Sequence, residues 1–108
     1  MEKVNVLYIG RHVEILETVV RLINNNDNWN GIGIFEDALA MLVFNNMDVQ
    51  IVLLGCGIEE EDENILRDFF TQTKPLVKII QHYGGGSGLL YNEITTALGS
   101  NTITPNLS

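Results

Sequence analysis

Apolar, strand-like runs alternate with helix-patterned segments along the whole chain, and no other feature limits the possible folds so strongly. Runs rich in β-branched and other apolar residues predict strands over Val4–Ile9, 29–35, Val49–Leu54, 75–80 and 102–104. The segments between them carry apolar residues at helical spacing. Strand and helix in alternation imply right-handed βαβ units, and hence a mostly parallel sheet with helices on both faces.

The helical spacing also predicts which side chains face the core. The predicted inward positions are Val13, Leu16, Val20 and Ile23 in the first helix; Ala38, Leu39, Leu42 and Val43 in the second; and Ile65, Leu66, Phe69 and Phe70 in the third, which spans 62–72. A fourth helix is predicted over 89–99, ending at Gly99. The glycine-rich stretch 84–88 before it predicts a flexible turn.

Length and charge limit the classes of function. A chain of 108 residues, 45% of them hydrophobic, forms a single domain over 1–108 with its own core. Its formal net charge of -8 disfavours binding to nucleic acid and to anionic membranes. The N-terminus lacks a signal-peptide core, and no apolar stretch is long enough to cross a membrane. We therefore expect a cytoplasmic protein.

The carboxyl ends of the predicted strands should meet at one rim of the sheet, which is where open α/β sheets place their ligands. The residues expected at this rim are Gly10, Arg11, Gly55, Gln81, His82 and Thr104. The third strand, IVLL, is typical of a buried core strand, yet glycine follows it where a reactive side chain would be expected.

These segments resemble the receiver domains of two-component response regulators. VLYIGRHVEILETVVRLI is similar to the opening strand and helix of that family, DVQIVLLGCGI to its third strand, KIIQHYGGG to its fourth and GSNTITPN to its fifth. The resemblance covers nearly the whole chain but not the family's last helix. It implies a flavodoxin-like, doubly wound parallel sheet of five strands in the order 2-1-3-4-5.

Every functional position of the receiver family departs from its pattern in this chain. The acidic pair falls on Gly10 and Arg11, the phosphoacceptor aspartate on Gly55, the hydroxyl residue on Gln81 or, with a shift of one, His82, and the lysine on Thr104; Pro105 alone is kept. Aspartyl phosphorylation needs a carboxylate nucleophile and oxygen ligands for Mg²⁺, and Arg11 brings a fixed positive charge instead. We therefore predict a pseudo-receiver with no catalytic residue, metal or cofactor.

Two rim residues have alternative interpretations. Arg11 could bind an anion or mimic the activated state by filling the metal site with a fixed charge, or it could be solvated or paired with a neighbouring acid. Cys56, the single cysteine, could be a reactive thiol or a small residue packed in a turn. The acidic run 59–63 is interpreted as the solvated entrance to the third helix, although it could also present an acidic face to a basic partner.

The segment after the fourth strand is the other candidate contact region. Gly84, Gly85, Gly86 and Ser87 could contact a phosphate or a partner, or they could form a mobile loop without that function. His12 and His82 lack carboxylate partners at a clear spacing, so we predict surface or turn residues rather than a metal site.

Three classes of function follow. The first is a receiver-like module that signals through protein partners or oligomerisation, and the second is a sensor that binds a small anion or nucleotide at the rim. The third is a cysteine-dependent phosphatase or phosphocarrier, and against it Cys56 has no arginine in a phosphate loop after it. Because the family's last helix has no counterpart here, we expect uncovered apolar surface beside the first helix, and hence a homodimer.

Overall fold

Eight elements follow one another in the computed structural model, which describes residues 3–84 and 86–99. They are β1 (Val4–Ile9), α1 (Val13–Asn24), β2 (Trp29–Ile34), α2 (Asp37–Asn46), β3 (Val49–Leu54), α3 (Glu60–Thr73), β4 (Lys78–Gln81) and α4 (Gly86–Gly99). The predicted fifth strand at 102–104, with Thr104 and Pro105, lies outside the described residues, as do Gly85 and the side chain of Ser87. No helix in the described ranges is long and apolar enough to cross a bilayer.

Four strands pair in parallel in the order β2-β1-β3-β4, which confirms the predicted doubly wound sheet. β1 and β3 are its central strands, and residues 6–9 and 51–54 are buried. A central parallel strand is covered on both faces, so it needs a continuous apolar run rather than an alternating one. VLYI and IVLL satisfy this requirement, which places both strand ends firmly at the rim.

Helices cover both faces of the sheet. On one face, α1 and α4 contribute the buried residues Val19, Ile23, Leu90, Ile94 and Ala97. On the other face, α2 and α3 contribute the buried residues Ala40, Phe44, Leu66 and Phe70. Each large apolar side chain buried in this way contributes roughly 1.5–3 kcal/mol to folding. We call these the α1/α4 face and the α2/α3 face.

α4 lies on the opposite face of the sheet from the one expected for a helix that connects β4 to a further strand beyond it. The connections through α2 and α3 both progress toward β4 and place their helices on the α2/α3 face. A right-handed crossover continuing past β4 would place its helix on that same face. Instead, α4 lies on the α1/α4 face, where it supplies cover that we expected to be missing. The reason for expecting a homodimer on that face is therefore removed.

The predicted inward face of α2 is wrong. Ala40 and Phe44 are buried, whereas Leu39 and Leu42 are 44% and 58% exposed. The Phe44 ring packs against Phe70 of α3, with ring centroids 4.6 Å apart. Because α2 is apolar on nearly every side, spacing alone does not identify its inward face, and the packing of the largest ring determines its orientation.

Smaller corrections concern the other helices and the element ends. Val13, Ala38 and Ile65 are exposed, and the remaining predicted inward positions are buried or half-buried. The first turn of α3 is acidic, as interpreted, but the helix already begins at Glu60. β4 begins at Lys78 rather than with the proline three residues earlier, and β2 ends one residue sooner than predicted.

Glycine is required where the chain leaves β4. Gly84 and Gly86 have φ values of +105° and +89°, which L side chains rarely adopt. Because α4 begins at Gly86, part of the stretch predicted as a flexible turn is helical. These two residues turn the chain toward the α1/α4 face.

We expect Gly84→Ala and Gly86→Ala each to lower the free energy of unfolding by about 1 kcal/mol, because alanine is strained at positive φ. Gly88→Ala is the matched control. Gly88 lies inside α4 with open space around its Cβ position, so alanine there should raise the free energy of unfolding by roughly 0.5–1 kcal/mol. Urea unfolding followed by circular dichroism measures all three variants. A rise in the free energy of unfolding for Gly84→Ala and Gly86→Ala, like that expected for Gly88→Ala, would contradict the positive φ values at positions 84 and 86.

Candidate functional site

A tyrosine ring occupies the space between the ends of the two central strands. Tyr8 is only 2% exposed. A Cβ atom at Gly10 would lie 2.6 Å from Tyr8 Cε2, and one at Gly55 would lie 2.7 Å from Tyr8 Cζ and collide with the hydroxyl. Only glycine therefore fits at these two positions while the ring stays in place. Burial, with a smaller electrostatic contribution from Cys56, raises the pKa of the Tyr8 hydroxyl.

Backbone hydrogen bonds hold the strand ends together at this rim. Gly55 N donates to Ile9 O at 2.8 Å, and Gly10 N donates to Ile34 O at 3.2 Å. His82 N donates to Leu54 O, also at 2.8 Å. The sheet pairing thus continues one residue past β1, β3 and β4, which fixes the positions from which the rim side chains start.

Gln81 lies at the rim where the receiver resemblance places a hydroxyl residue. Its side-chain Nε2 donates to Leu54 O at 2.9 Å and to Gly55 O at 3.3 Å. The amide therefore ties β4 to the end of β3. Since both of its donor contacts go to backbone carbonyls, Gln81 acts as a structural clamp rather than as a group presented to a ligand.

Arg11 is paired with acids, as one of its interpretations predicted. Its Nη2 donates to Asp37 Oδ2 at 2.9 Å, and Nη1 lies 2.9 Å from Oδ1 without the alignment of a hydrogen bond. Nη1 also donates to Phe35 O at 3.1 Å, and Asp62 Oδ2 lies 3.7 Å from Nη2. The hydrogen bond with Asp37 raises the pKa of the guanidinium. Arg11 thus links the first turns of α2 and α3.

His82 is buried, so the prediction of a surface or turn residue is wrong for it. The side chain is 4% exposed, and its Nδ1 lies 2.5 Å from Glu93 Oε1 of α4. The Tyr8 ring makes an edge contact with the imidazole at a centroid distance of 6.4 Å. The carboxylate that appeared to be missing is eleven residues downstream in sequence, and the position of α4 brings it close. His12, by contrast, is exposed.

A small cavity of about 70 Å³ opens beside this pair, and we call it the rim cavity. Its lining residues are Tyr8, His12, Ile15, Cys56, His82, Tyr83 and Gly84. Of the predicted contact residues, His82 and Gly84 line this cavity together with Cys56. Arg11 does not line it. Within the described ranges no group of three or more His, Cys, Asp or Glu side chains could hold a metal ion.

Sequence reasoning missed three residues of this region. Tyr8 was assigned only to a core strand, and neither Asp37 nor Glu93 was identified as a rim partner. The available signal for Tyr8 was its position two residues before Gly10, in a strand predicted to lie next to the strand that ends at Gly55. No comparable signal marks Asp37 or Glu93, because their partners are distant in sequence.

Comparisons with known proteins identify the fold. No family model and no curated protein matches the chain. Among solved structures, it is similar to the signal receiver domain of an HD domain-containing protein from Pseudomonas fluorescens Pf-5. That match has 11% identity, covers 93% of this chain and 90% of the other, and has a TM-score of 0.79.

Two further similar structures belong to the response regulator RcsB. The Escherichia coli receiver domain shares 16% identity over 89% of this chain and 76% of the other, with a TM-score of 0.61. The Salmonella typhimurium protein also shares 16% identity, over 98% of this chain and 65% of the other, with a TM-score of 0.67. At such identities the likeness shows the fold alone, and the chain has the flavodoxin-like fold of receiver domains.

The contact between Tyr8 and the rim glycines generates a stability prediction. We expect Gly55→Ala to lower the free energy of unfolding by about 2 kcal/mol, because the new Cβ overpacks against the Tyr8 ring. In a Tyr8→Leu background, where the far end of the ring is absent, the penalty of Gly55→Ala should shrink to less than half. A double-mutant cycle from urea unfolding measures this coupling. An equal penalty in both backgrounds would show that Tyr8 is not the obstacle.

Proposed function

We propose that the chain is a receiver-like signalling module that takes no part in aspartyl phosphorylation and acts by binding proteins in the cytoplasm. The receiver fold supports a signalling role, since the similar structures are receiver domains. The single observation that carries the loss of phosphorylation is the Tyr8 ring between Gly10 and Gly55.

The rim residues do not fit the Mg²⁺ ion that receiver chemistry implies. Mg²⁺ requires a near-octahedral set of oxygen ligands, usually including carboxylates. Gly10 and Gly55 offer no side-chain oxygen, and the Tyr8 ring fills the space that such side chains would need. The carboxylate of Asp37 is already engaged by the Arg11 guanidinium. We therefore derive no phosphoryl transfer for this rim.

Exposed apolar residues support binding to a protein. Leu39 and Leu42 are exposed one helical turn apart on α2, and the exposed Phe35 lies two residues before that helix begins. We call them the α2 surface. A helix that is apolar on nearly every side is normally covered, and exposed apolar patches often mark interaction sites. A second copy or another protein would cover this surface.

The anion or nucleotide sensor is less well supported than the interaction module. It relied on Arg11 as the cation that would attract the ligand. The guanidinium instead contacts Asp37 and the carbonyl of Phe35, with Asp62 nearby, so its charge is compensated. Histidine and backbone groups remain near the rim, but they provide no fixed positive charge.

For phosphorylation, we expect the amide resonances of Gly10 and Gly55 to stay unchanged when Mg²⁺ is added with beryllofluoride or acetyl phosphate. Gly55→Asp alone should not produce Mg²⁺-dependent shifts, because the Tyr8 ring obstructs position 55. In addition, the Arg11 guanidinium still pairs with Asp37, at the position where receivers carry an acidic residue. Two-dimensional NMR of the labelled protein measures this. Saturable shifts of these two resonances in the unchanged chain would refute the absence of phosphorylation.

For protein binding, we expect the double variant Leu39→Gln/Leu42→Gln to lose partners that the unchanged chain retains in affinity capture from its native host. Val13→Gln/Leu76→Gln is the matched control, because both residues are exposed but lie outside the α2 surface. Sedimentation velocity over a concentration series reports whether the partner is a second copy. Equal capture and equal sedimentation by all three proteins would exclude the α2 surface as the binding site.

A further inference from the structure

The two edges of the sheet differ in how their outward backbone groups are satisfied. β2 forms one edge, and Gly31 N in it donates to the side-chain Oδ1 of Asn24 at 2.8 Å. One residue past the end of β2, Phe35 O accepts a hydrogen bond from Arg11 Nη1 at 3.1 Å. Proteins protect edge strands because a free edge can pair with another strand. The β2 edge is therefore closed to a further strand.

β4 forms the opposite edge and has no such protection. Within residues 3–84 and 86–99, β3 alone pairs with it. His82 N donates to Leu54 O of β3, and the backbone groups of alternate residues point the same way, so the outward groups belong to Ile79 and Gln81. These outward N–H and C=O groups have no hydrogen-bond partner in the same ranges. The β4 edge can therefore accept one more strand.

An open, largely apolar groove lies beside this edge on the α1/α4 face. Its lining residues are Ile80 of β4 and Leu89, Asn92, Glu93, Thr96 and Ala97 of α4. Ile80 is half-buried and Leu89 is 44% exposed, so neither side chain is fully covered in the single chain. A free strand edge supplies hydrogen bonds to an incoming strand, and an adjacent apolar groove receives its side chains. The two features together define a site for a strand.

The distribution of charge favours a second copy of this chain as the occupant. Residues 1–75 carry the whole net charge of -8, whereas residues 76–108 contain one lysine, Lys78, and one glutamate, Glu93. Two copies that meet through the acidic part of the chain repel each other. Two copies that meet at the β4 edge bring together the part of the chain whose charges balance, so association there carries the smallest electrostatic cost.

We propose that two copies of the chain pair antiparallel through their β4 edges, around a twofold axis that passes between the two Ile80 residues. A strand edge is self-complementary in this orientation, because the outward N–H and C=O groups of each copy meet those of the other. Ile79 of one copy then lies opposite Gln81 of the second copy, and each such pair exchanges both backbone hydrogen bonds. The two four-stranded sheets become one continuous sheet.

The side chains select this register. Ile80 lies opposite its own counterpart, and the two side chains meet at the apolar groove. Lys78 lies opposite His82 of the second copy, whose Nδ1 is 2.5 Å from Glu93 Oε1, so the lysine approaches the one carboxylate of this part of the chain. A shifted register that sets Lys78 opposite Ile80 would place the ammonium group against the apolar groove, where it loses hydration.

A single cysteine near the axis tests the pairing. In a Cys56→Ser background, which removes the only native thiol, Ile80→Cys sets two thiols opposite each other with Cα atoms about 4.5 Å apart, within disulfide reach. Ile79→Cys is the matched control, because its counterpart lies roughly 8 Å away, beyond that reach. On oxidation with diamide, we expect at least about tenfold more covalent dimer from Ile80→Cys, measured by non-reducing intact mass spectrometry. Equal yields from the two variants would overturn the proposal.

Sedimentation velocity over a concentration series measures association of the unchanged chain. The short paired segment predicts a weak dimer, with a dissociation constant on the order of 10–100 µM. Lys78→Glu should weaken it at least about tenfold, because the new repulsion from Glu93 acts twice across the axis. Lys3→Glu, the same charge change at an exposed residue outside β4, is the matched control and should leave the constant nearly unchanged. Equal weakening by both variants would contradict the interface.

Amide hydrogen exchange separates a second copy from other occupants of the edge. The amides of Ile80 and His82 face β3 and should be protected at every concentration, whereas those of Ile79 and Gln81 should gain protection as the dimer forms. A monomer in which Ile79 and Gln81 are already protected would show that another segment of the same chain, such as 100–108, covers the edge, and would refute the proposal. A monomer in which they stay unprotected would refute it as well.

The β4 edge is separate from the α2 surface, and this pairing requires neither a phosphoryl group nor another protein. Leu39→Gln/Leu42→Gln should therefore form the dimer with the same dissociation constant as the unchanged chain. A loss of the dimer in this variant would assign self-association to the α2 surface and overturn pairing at the β4 edge. Failure of the β4 pairing would leave the results of phosphorylation and affinity capture unaffected.

Discussion

The packing of one aromatic ring determines which residues fit at the ends of the two central strands. Tyr8 fills the space between the ends of β1 and β3, and no Cβ fits at Gly10 or Gly55 while it is there. Burying a ring of this size contributes a few kcal/mol, roughly what a large-to-small substitution would cost. The same packed ring therefore explains why neither position carries a carboxylate. A single aspartate would have to displace the ring before it could bind a metal.

Two other polar side chains at the rim are held by fixed partners. Arg11 holds Asp37, and Gln81 holds two carbonyls at the end of β3. Such contacts stabilise a single arrangement, because each buried or half-buried polar group would lose its partner in any other. These fixed contacts support the proposal that the rim does not respond to a phosphoryl group. Signalling by this fold would then depend on surfaces such as α2, whose apolar side chains are exposed.

The sequence predicted the strands better than the side chains that face the site. Buried parallel strands need continuous apolar runs, and VLYI and IVLL could be located for that reason. The inward face of α2 could not be predicted, because its residues are apolar on nearly every side and only the ring of Phe44 distinguishes one. His82 could not be recognised as buried, because its carboxylate partner comes from α4, and hydrophobic spacing does not report how a helix is placed over a sheet.

The position of α4 connects the glycine-rich stretch to the rim cavity. Gly84 and Gly86 adopt backbone angles that turn the chain onto the α1/α4 face, and only there can Glu93 reach the end of β4. The contact with Glu93 orients the His82 imidazole against the Tyr8 ring, and both side chains form the cavity wall beside Cys56. The glycines are therefore more than a flexible connection. They set the helix position on which the burial of His82 and its contact with Glu93 depend.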